Sequence, residues 1–228
     1  MFKYETHLHT SPVSRCARAS VRESLEYYKS LGYDGVFLTN HFIDGSFGGD
    51  RTLPYAEQIE FLFTDYEAAL EIGKEIGLKV FFGTEISEAG TDFLIYGLDK
   101  EWFLAHPEIM DMKKSDELTF LANNGALIIH AHPFRESGYI DHIRLYPRLV
   151  HGVETINSCR TDFENKMAKL YAEKYELPEF AGSDNHRGAL QTSLAGICTE
   201  EPISDEYDFI EKYRSGNVKI FSINVSEG

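Results

Sequence analysis

Cysteine is scarce and unpatterned in this chain. Cys16, Cys159 and Cys198 are odd in number and show no CxxC spacing, which argues against both a disulfide framework and a zinc ribbon. Long apolar runs are missing as well. No stretch approaches membrane-spanning length, and the opening MFKYETHLHT lacks the continuous apolar segment of a secretory signal, so a cytoplasmic setting with no membrane partner is expected. Basic charge is in deficit, with 22 Lys and Arg against 37 Asp and Glu and a formal net charge of -15. Phosphate backbones are gripped by excess Lys and Arg, so nucleic acid is not an expected partner. A small anionic substrate stays compatible, because bound cations reverse the local field of an acidic protein. No internal repeat, low-complexity tract or Pro/Gly/Ser linker divides the sequence. Residues 1–228 therefore read as a single domain, with 43% apolar and 26% charged residues as in ordinary globular proteins.

What is present is an alternation of short apolar runs and segments of helical period. The runs cover residues 2–8, 35–39, 79–84, 93–98, 126–131, 152–156, 179–182 and 218–223. Between them, Val21, Leu25, Tyr28 and Leu31 recur at helical spacing before Gly32, and Ile59, Leu62, Tyr66, Ala69 and Leu70 do so before Gly77. Phe163, Met167, Leu170 and Tyr171 form a further stripe behind a capping box of Thr161 and Glu164, and a last helix is expected from about Ser204. Strand and helix in alternation imply an α/β fold of parallel strands with crossover helices.

The residues that carry chemistry sit where the apolar runs end. His7 and His9 close the first run, His41 follows the second, Glu85 the third, His130 and His132 the fifth, and Asp184 and His186 the seventh. In a parallel barrel all these ends open on one face, where such folds carry their active sites. His7/His9, His130/His132 and Asp184/His186 are spaced i, i+2, so each pair is expected to share one side of an extended strand. Imidazole and carboxylate donors suit zinc, manganese or iron, and the two oxygens of Glu85 allow it to bridge two cations. Each residue also has a plainer reading, Asp184 as a helix N-cap or Glu85 as a rim salt bridge, but the accumulation at successive strand ends favours a metal centre.

The ordered motifs HLH, TNH, GTE, HAHP and GSDNH resemble those of the PHP (polymerase and histidinol phosphatase) superfamily of metal-dependent phosphoesterases, histidinol phosphatases included. The resemblance runs from His7 to His186. It implies a distorted (β/α)7 TIM-like barrel, with the run at 218–223 left over as an edge or closing element. It implies two or three divalent metal ions (Zn, Mn or Fe). His7, His9, Glu85 and Asp184 would hold the first, Glu85 would bridge to a second bound also by His132, and His41 and His186 would hold a third. The sequence departs from the family pattern in two places. Ser14 and Arg15 stand where a further His or Asp is usual, with Cys16 one residue beyond. No His occurs in GTDFLIYGL, so Asp92 or His130 has to complete the second site, and the strand face shared with His132 favours His130.

The expected activity is hydrolysis of a small phosphomonoester, histidinol phosphate or nucleotide-like, by cation-activated water, with Asp184, His186 and Glu85 as the catalytic set. Arg135 and Arg187 are the favoured phosphate clamps, ahead of Arg15 and Arg160, because the guanidinium fork grips two oxygens at once. Asn157, at a strand end, is placed to orient substrate or a ligand. The Gly- and aromatic-rich segment 41–55 is expected to overhang the site, and His106, His142 and His151 lie outside the motifs. An amidohydrolase acting on C–N or C–O bonds and a non-catalytic, metal-stabilised interaction domain are the alternatives. Oligomeric state is not legible in the sequence.

Overall fold

The chain runs β1 (Phe2–Leu8), α1 (Val21–Ser30), β2 (Gly35–Leu38), α2 (Tyr55–Ile76), β3 (Lys79–Glu88), β4 (Thr91–Tyr96), α3 (Lys100–Ala105), α4 (Lys114–Asn123), β5 (Leu127–Ala131), β6 (Gly152–Asn157), α5 (Asp162–Tyr175), β7 (Glu179–Gly182), β8 (Ser193–Thr199), α6 (Glu206–Arg214) and β9 (Lys219–Asn224). These elements come from a computed structural model that describes residues 1–225. The strands form one sheet in the order β7-β6-β5-β4-β3-β2-β1-β8-β9. The first seven curl into a nearly closed barrel, as the expected fold class requires. The expected run at 218–223 falls in β9, an edge strand paired antiparallel with β8.

The helix signals act locally as read. Ser20 and Glu23 form a reciprocal capping box at the start of α1, Thr161 and Glu164 do the same for α5, and Gly77 closes α2 in the left-handed region. The face of α5 is different from the one expected. Glu164, Ala168, Tyr171 and Ala172 turn inward, while Phe163 and Leu170 remain 62% and 48% exposed. The capping-box glutamate takes part in the packed face here, because its Oε1 also accepts the Glu136 N–H at 2.8 Å.

The all-parallel expectation fails at β4. Strand β3 runs on to Glu88 and is joined to β4 by Ala89 and Gly90, at φ 49° and 86°. Two residues with positive φ make a tight hairpin, and a link that short cannot cross over the sheet. β4 is accordingly antiparallel to both β3 and β5. Its beginning, at Thr91 and Asp92, therefore lies on the rim where the neighbouring strands end.

Side chains and backbone together seal the barrel between β1 and β7. Thr6 Oγ1 donates to the Ala181 carbonyl at 2.5 Å, Ser183 N–H donates to Glu5 Oε1 at 3.0 Å, and His9 N–H donates to the Asn185 carbonyl at 3.0 Å. Gly182 permits the approach, since a Cβ there would stand 2.5 Å from His7 Cβ and 2.8 Å from Glu154 Oε1. At the other end α6 plugs the barrel. Phe209 lies 4.5 Å from Phe37 and 5.3 Å from Tyr96 between ring centroids, within a core that includes Tyr4, Phe81, Ile129 and Phe180.

Candidate metal centre

The barrel rim opposite α6 is polar and mostly buried. His7 and His9 come from the end of β1 and the residue beyond it, His41 follows β2, Glu85 lies within β3, Asp92 begins β4, His132 follows β5, and Asp184 and His186 follow β7. Three sets bring their ligand atoms within 4.8 Å of one another: His7, Glu85 and His132; His7, His9 and Asp184; and His9, His41 and His186. Glu85 is the common neighbour. Its Oε1 stands 3.2 Å from His132 Nε2 and 3.5 Å from His7 Nε2, while Oε2 stands 3.0 Å from His41 Nδ1 and 3.4 Å from His9 Nε2. The His41 contact is close but not aligned as a hydrogen bond. Asp184 Oδ1 lies 3.6 Å from both His7 and His9, and Oδ2 lies 3.9 Å from His132.

Outer partners decide which nitrogens face inward. His7 Nδ1–H donates to Glu154 Oε1 at 2.8 Å, and His9 Nδ1–H donates to Ser14 Oγ at 3.1 Å. In the tautomers these bonds select, the two Nε2 lone pairs point at each other across 3.1 Å. Such a contact holds either with a proton between the two nitrogens or with a divalent cation bound to both. The donor set therefore fits a divalent metal. Ser14 Oγ is itself fixed: it accepts the His41 N–H at 3.0 Å and donates to Asn40 Oδ1 at 2.8 Å, while Asn40 leans on Asp65 at 3.2 Å. Glu154 also accepts the His132 N–H at 3.0 Å and the Asn157 amide at 2.8 Å.

The electrostatics match this crowding. Burial works against the charge on His7, but Glu154 and Asp184 outweigh it and hold its pKa well above the usual value. His9 goes the other way, pushed down by burial and by the neighbouring His186 and His41. Burial opposes the Glu85 charge, yet His41, His132 and His7 keep its carboxyl well below the usual range. Asp92 is raised by burial and by Glu85. Burial raises the Cys16 thiol, but His186 and His41 prevail and bring it to about 6.

Two backbone features aim the ligands. His132 and Asp184 have φ of 27° and 52°, in the left-handed region that non-glycine residues rarely occupy. For His132 this breaks the strand alternation that was expected to place His130 beside it. β5 ends at Ala131, and His132 turns back into the rim, whereas His130 points away. The His130 ring stacks on Phe93 at 5.0 Å and meets Tyr171 and Tyr146, with both nitrogens lacking partners and its pKa held down at about 3 by burial and by His132. His130 is a core residue, and Asp92 takes the rim position instead, 3.9 Å from His132 Nδ1.

A cleft of about 720 Å³ opens above these residues, lined by His41, Glu85, Asp92, His132, Asp184 and His186. Arg135 and Arg160 line it too, and Arg135 donates to Asp92 at 3.2 Å. Arg187 is exposed and lines a separate surface hollow beside Arg18, and Arg15 is exposed without lining the cleft, so neither reaches the centre as a clamp. Asn157 serves the ligands, with its amide donating to Glu154 and, at 3.3 Å, to Asp184. The segment 41–55 forms one wall through Ile43, Asp44, Gly45, Ser46 and Arg51. Arg51 was not anticipated. Its Nη2 donates to the Asp44 and Gly45 carbonyls at 2.7 and 2.8 Å, which ties that wall together. Glu154 was also missed, although an acid inside an apolar strand run is a signal that a buried partner awaits it. His106, His142 and His151 lie away from the cleft.

Residues 162–218 match a family model described as PHP-associated. The fold is similar to that of a two-domain protein from Bacteroides vulgatus containing a predicted PHP-like metal-dependent phosphoesterase, at 15% identity and a TM-score of 0.65 over 96% of this chain. The chain spans 64% of the length of that protein. PsfC from Pseudomonas syringae is similar at 14% identity and a TM-score of 0.60, with 99% of this chain and 93% of that one covered. An amidohydrolase from Chromobacterium violaceum, with bound sulfate and no metal, is similar at 13% identity and a TM-score of 0.54, over 82% of this chain and 89% of that one. No curated protein sequence matches the chain. The family-model match and the shared fold bear out the PHP resemblance drawn from the five motifs. No helix among the described residues is long and apolar enough to cross a membrane.

Proposed function

We propose that this protein is a metal-dependent phosphoesterase that hydrolyses a small phosphomonoester, of the histidinol-phosphatase-like kind. The observation that carries the reading is Glu85, whose two oxygens face different imidazole pairs at 3.0–3.5 Å on the floor of an arginine-edged cleft. His7, His9, Glu85 and Asp184 would hold one cation, Glu85 and His132 a second, and His41 and His186 a third, from zinc, manganese or iron. Such cations, when bound, supply positive charge against the phosphate oxygens and make water acidic enough to attack near neutral pH.

The chain's own groups do the rest. Arg160 presents a guanidinium whose buried Nε has no protein partner, free to meet a phosphate oxygen. Arg135, braced by Asp92, adds positive charge on the same wall. His186 spends Nδ1–H on the Asp184 carbonyl at 2.8 Å, which leaves Nε2 to hold the third cation or, with that position empty, to take or return a proton at the cleft mouth. The wall from Ile43 to Arg51 limits the size of the group that enters.

Elemental mass spectrometry and hydrolysis of p-nitrophenyl phosphate on one preparation test this reading. Two or more ions per chain with turnover support it, and loss of both in Glu85→Gln ties them to the bridge. Absence of bound metal after reconstitution with zinc or manganese defeats it. The second reading is a C–N hydrolase, favoured by the shared fold of the Chromobacterium violaceum amidohydrolase. Metal with amide but no ester hydrolysis would select it.

A further inference from the structure

A phosphomonoester has two unlike ends. The phosphate belongs with the buried donors and Arg160, so the organic remainder has to meet whatever else lines the cleft. Tyr139 carries the only benzene ring among the lining residues, and it is 64% exposed, whereas Ile43, the other large apolar residue there, is 4% exposed. A single exposed tyrosine is ordinary on a protein surface. This one is held in place beside the centre.

Tyr139 belongs to the segment between β5 and β6, which has no helix or strand of its own but is fastened at several points. Arg135 N–H donates to the carbonyl of the ligand His132 at 2.9 Å, and Ile140 N–H donates to the Ser137 carbonyl at 2.9 Å, closing a turn around Gly138 and Tyr139. Further on, Arg144 Nη1 donates to the Ala89 carbonyl at 3.3 Å and the Tyr146 hydroxyl donates to Glu88 at 2.9 Å, so the segment rests on the β3–β4 hairpin. Gly90 makes room for it. A Cβ there would stand 2.5 Å from Ile140 Cγ1 and 3.3 Å from Tyr139 Cε2. The Arg135 guanidinium, tied to Asp92 at 3.2 Å, lies over the Tyr139 ring at 5.3 Å from its centroid. The ring is thus steadied from one side and open to the cleft.

We propose that Tyr139 is a specificity-determining residue that stacks on the leaving group, selecting phosphomonoesters whose organic part is a planar aromatic ring over aliphatic ones. The inference rests on the phosphoesterase reading above and names a substrate class for it. A tyrosine ring offers a flat apolar face at little cost in conformational freedom, and offset stacking rewards a second ring where an aliphatic chain gains only contact area.

Steady-state hydrolysis of naphthyl phosphate and of β-glycerophosphate by the metal-loaded full chain tests the assignment. Tyr139→Ala should raise KM for the naphthyl ester about tenfold with kcat within about twofold. Both parameters for β-glycerophosphate, and the metal content, should stay as in the wild type. Tyr139→Phe keeps the ring and should match the wild type on both esters. An equal change on the two esters, or no change on the naphthyl ester, overturns the role of Tyr139 and leaves the phosphoesterase standing. Metal-loaded wild type that turns over neither ester overturns the phosphoesterase reading and this inference together. Inhibition gives a readout that needs no variant. Phenylphosphonate should compete with p-nitrophenyl phosphate at lower concentration than methylphosphonate does; equal inhibition constants overturn the proposal.

Discussion

The two ends of the barrel are built from the same strands and obey opposite rules. At the α6 end, Tyr4, Phe37, Phe81, Tyr96 and Phe180 close around Phe209, with ring contacts of 4.5–6.3 Å and few polar groups. At the other end, four buried imidazoles, the half-buried His186 and the buried carboxylates of Glu85, Asp92, Asp184 and Glu154 crowd together. Apolar packing tolerates any chemistry of the right volume, but buried polar groups demand partners with definite direction. The plugged end therefore supplies stability, and the open end spends it to hold repelling groups in place. The strained φ values of His132 and Asp184 belong to that second end.

Substitutions that act on one end only sharpen the contrast. Glu85→Gln should have the largest effect. Losing the bridging charge is expected to cost about 5 kcal/mol of transition-state stabilisation, a rate loss of roughly 10⁴, read as kcat on p-nitrophenyl phosphate, with thermal stability of the metal-free protein changing little. Phe209→Ala should do the reverse. A cavity in the plug is expected to cost about 4 kcal/mol in chemical denaturation, with metal content per folded chain unchanged; a loss of metal before unfolding would show that the two ends are coupled.

Ser14→Ala removes the acceptor that fixes the His9 tautomer. Metal affinity should fall about 10- to 100-fold, measured by competition with a chromogenic chelator, and an unchanged affinity would mean that His9 needs no outer support. Arg160→Ala should raise KM about tenfold, about 1.4 kcal/mol, with metal content intact. His130→Leu should do least, with activity within about twofold and stability within about 1 kcal/mol. A collapse of metal binding in that variant would return His130 to the centre and defeat the rim arrangement described above.

Much of this arrangement was readable in advance. Strand runs announced themselves by β-branched and aromatic content, and the eight expected runs all fall in strands. β8 was missed because SLAGICT is built from small residues and carries no strong period. α4 was missed because its apolar residues make a weak stripe, with Phe120 and Ala122 off the buried face of Leu118 and Leu121. The site was legible because its residues cluster at run ends, a pattern that survives without knowledge of pairing. Ser14 and Glu154 were not legible as supports, since a hydroxyl or a single acid says nothing of which imidazole it will meet.

The linear sequence determined the α/β alternation, the helix caps and the identity of the residues gathered on one rim, because these depend on local period and on residues a few positions apart. Only the tertiary structure decided the direction of β4, the exclusion of His130, the admission of Asp92 and the placing of Arg160 rather than Arg187 beside the cleft. The first three of those outcomes hang on a two-residue hairpin and a left-handed His132, whose effect is to redirect a side chain through space. That redirection can be judged only where distant strands meet.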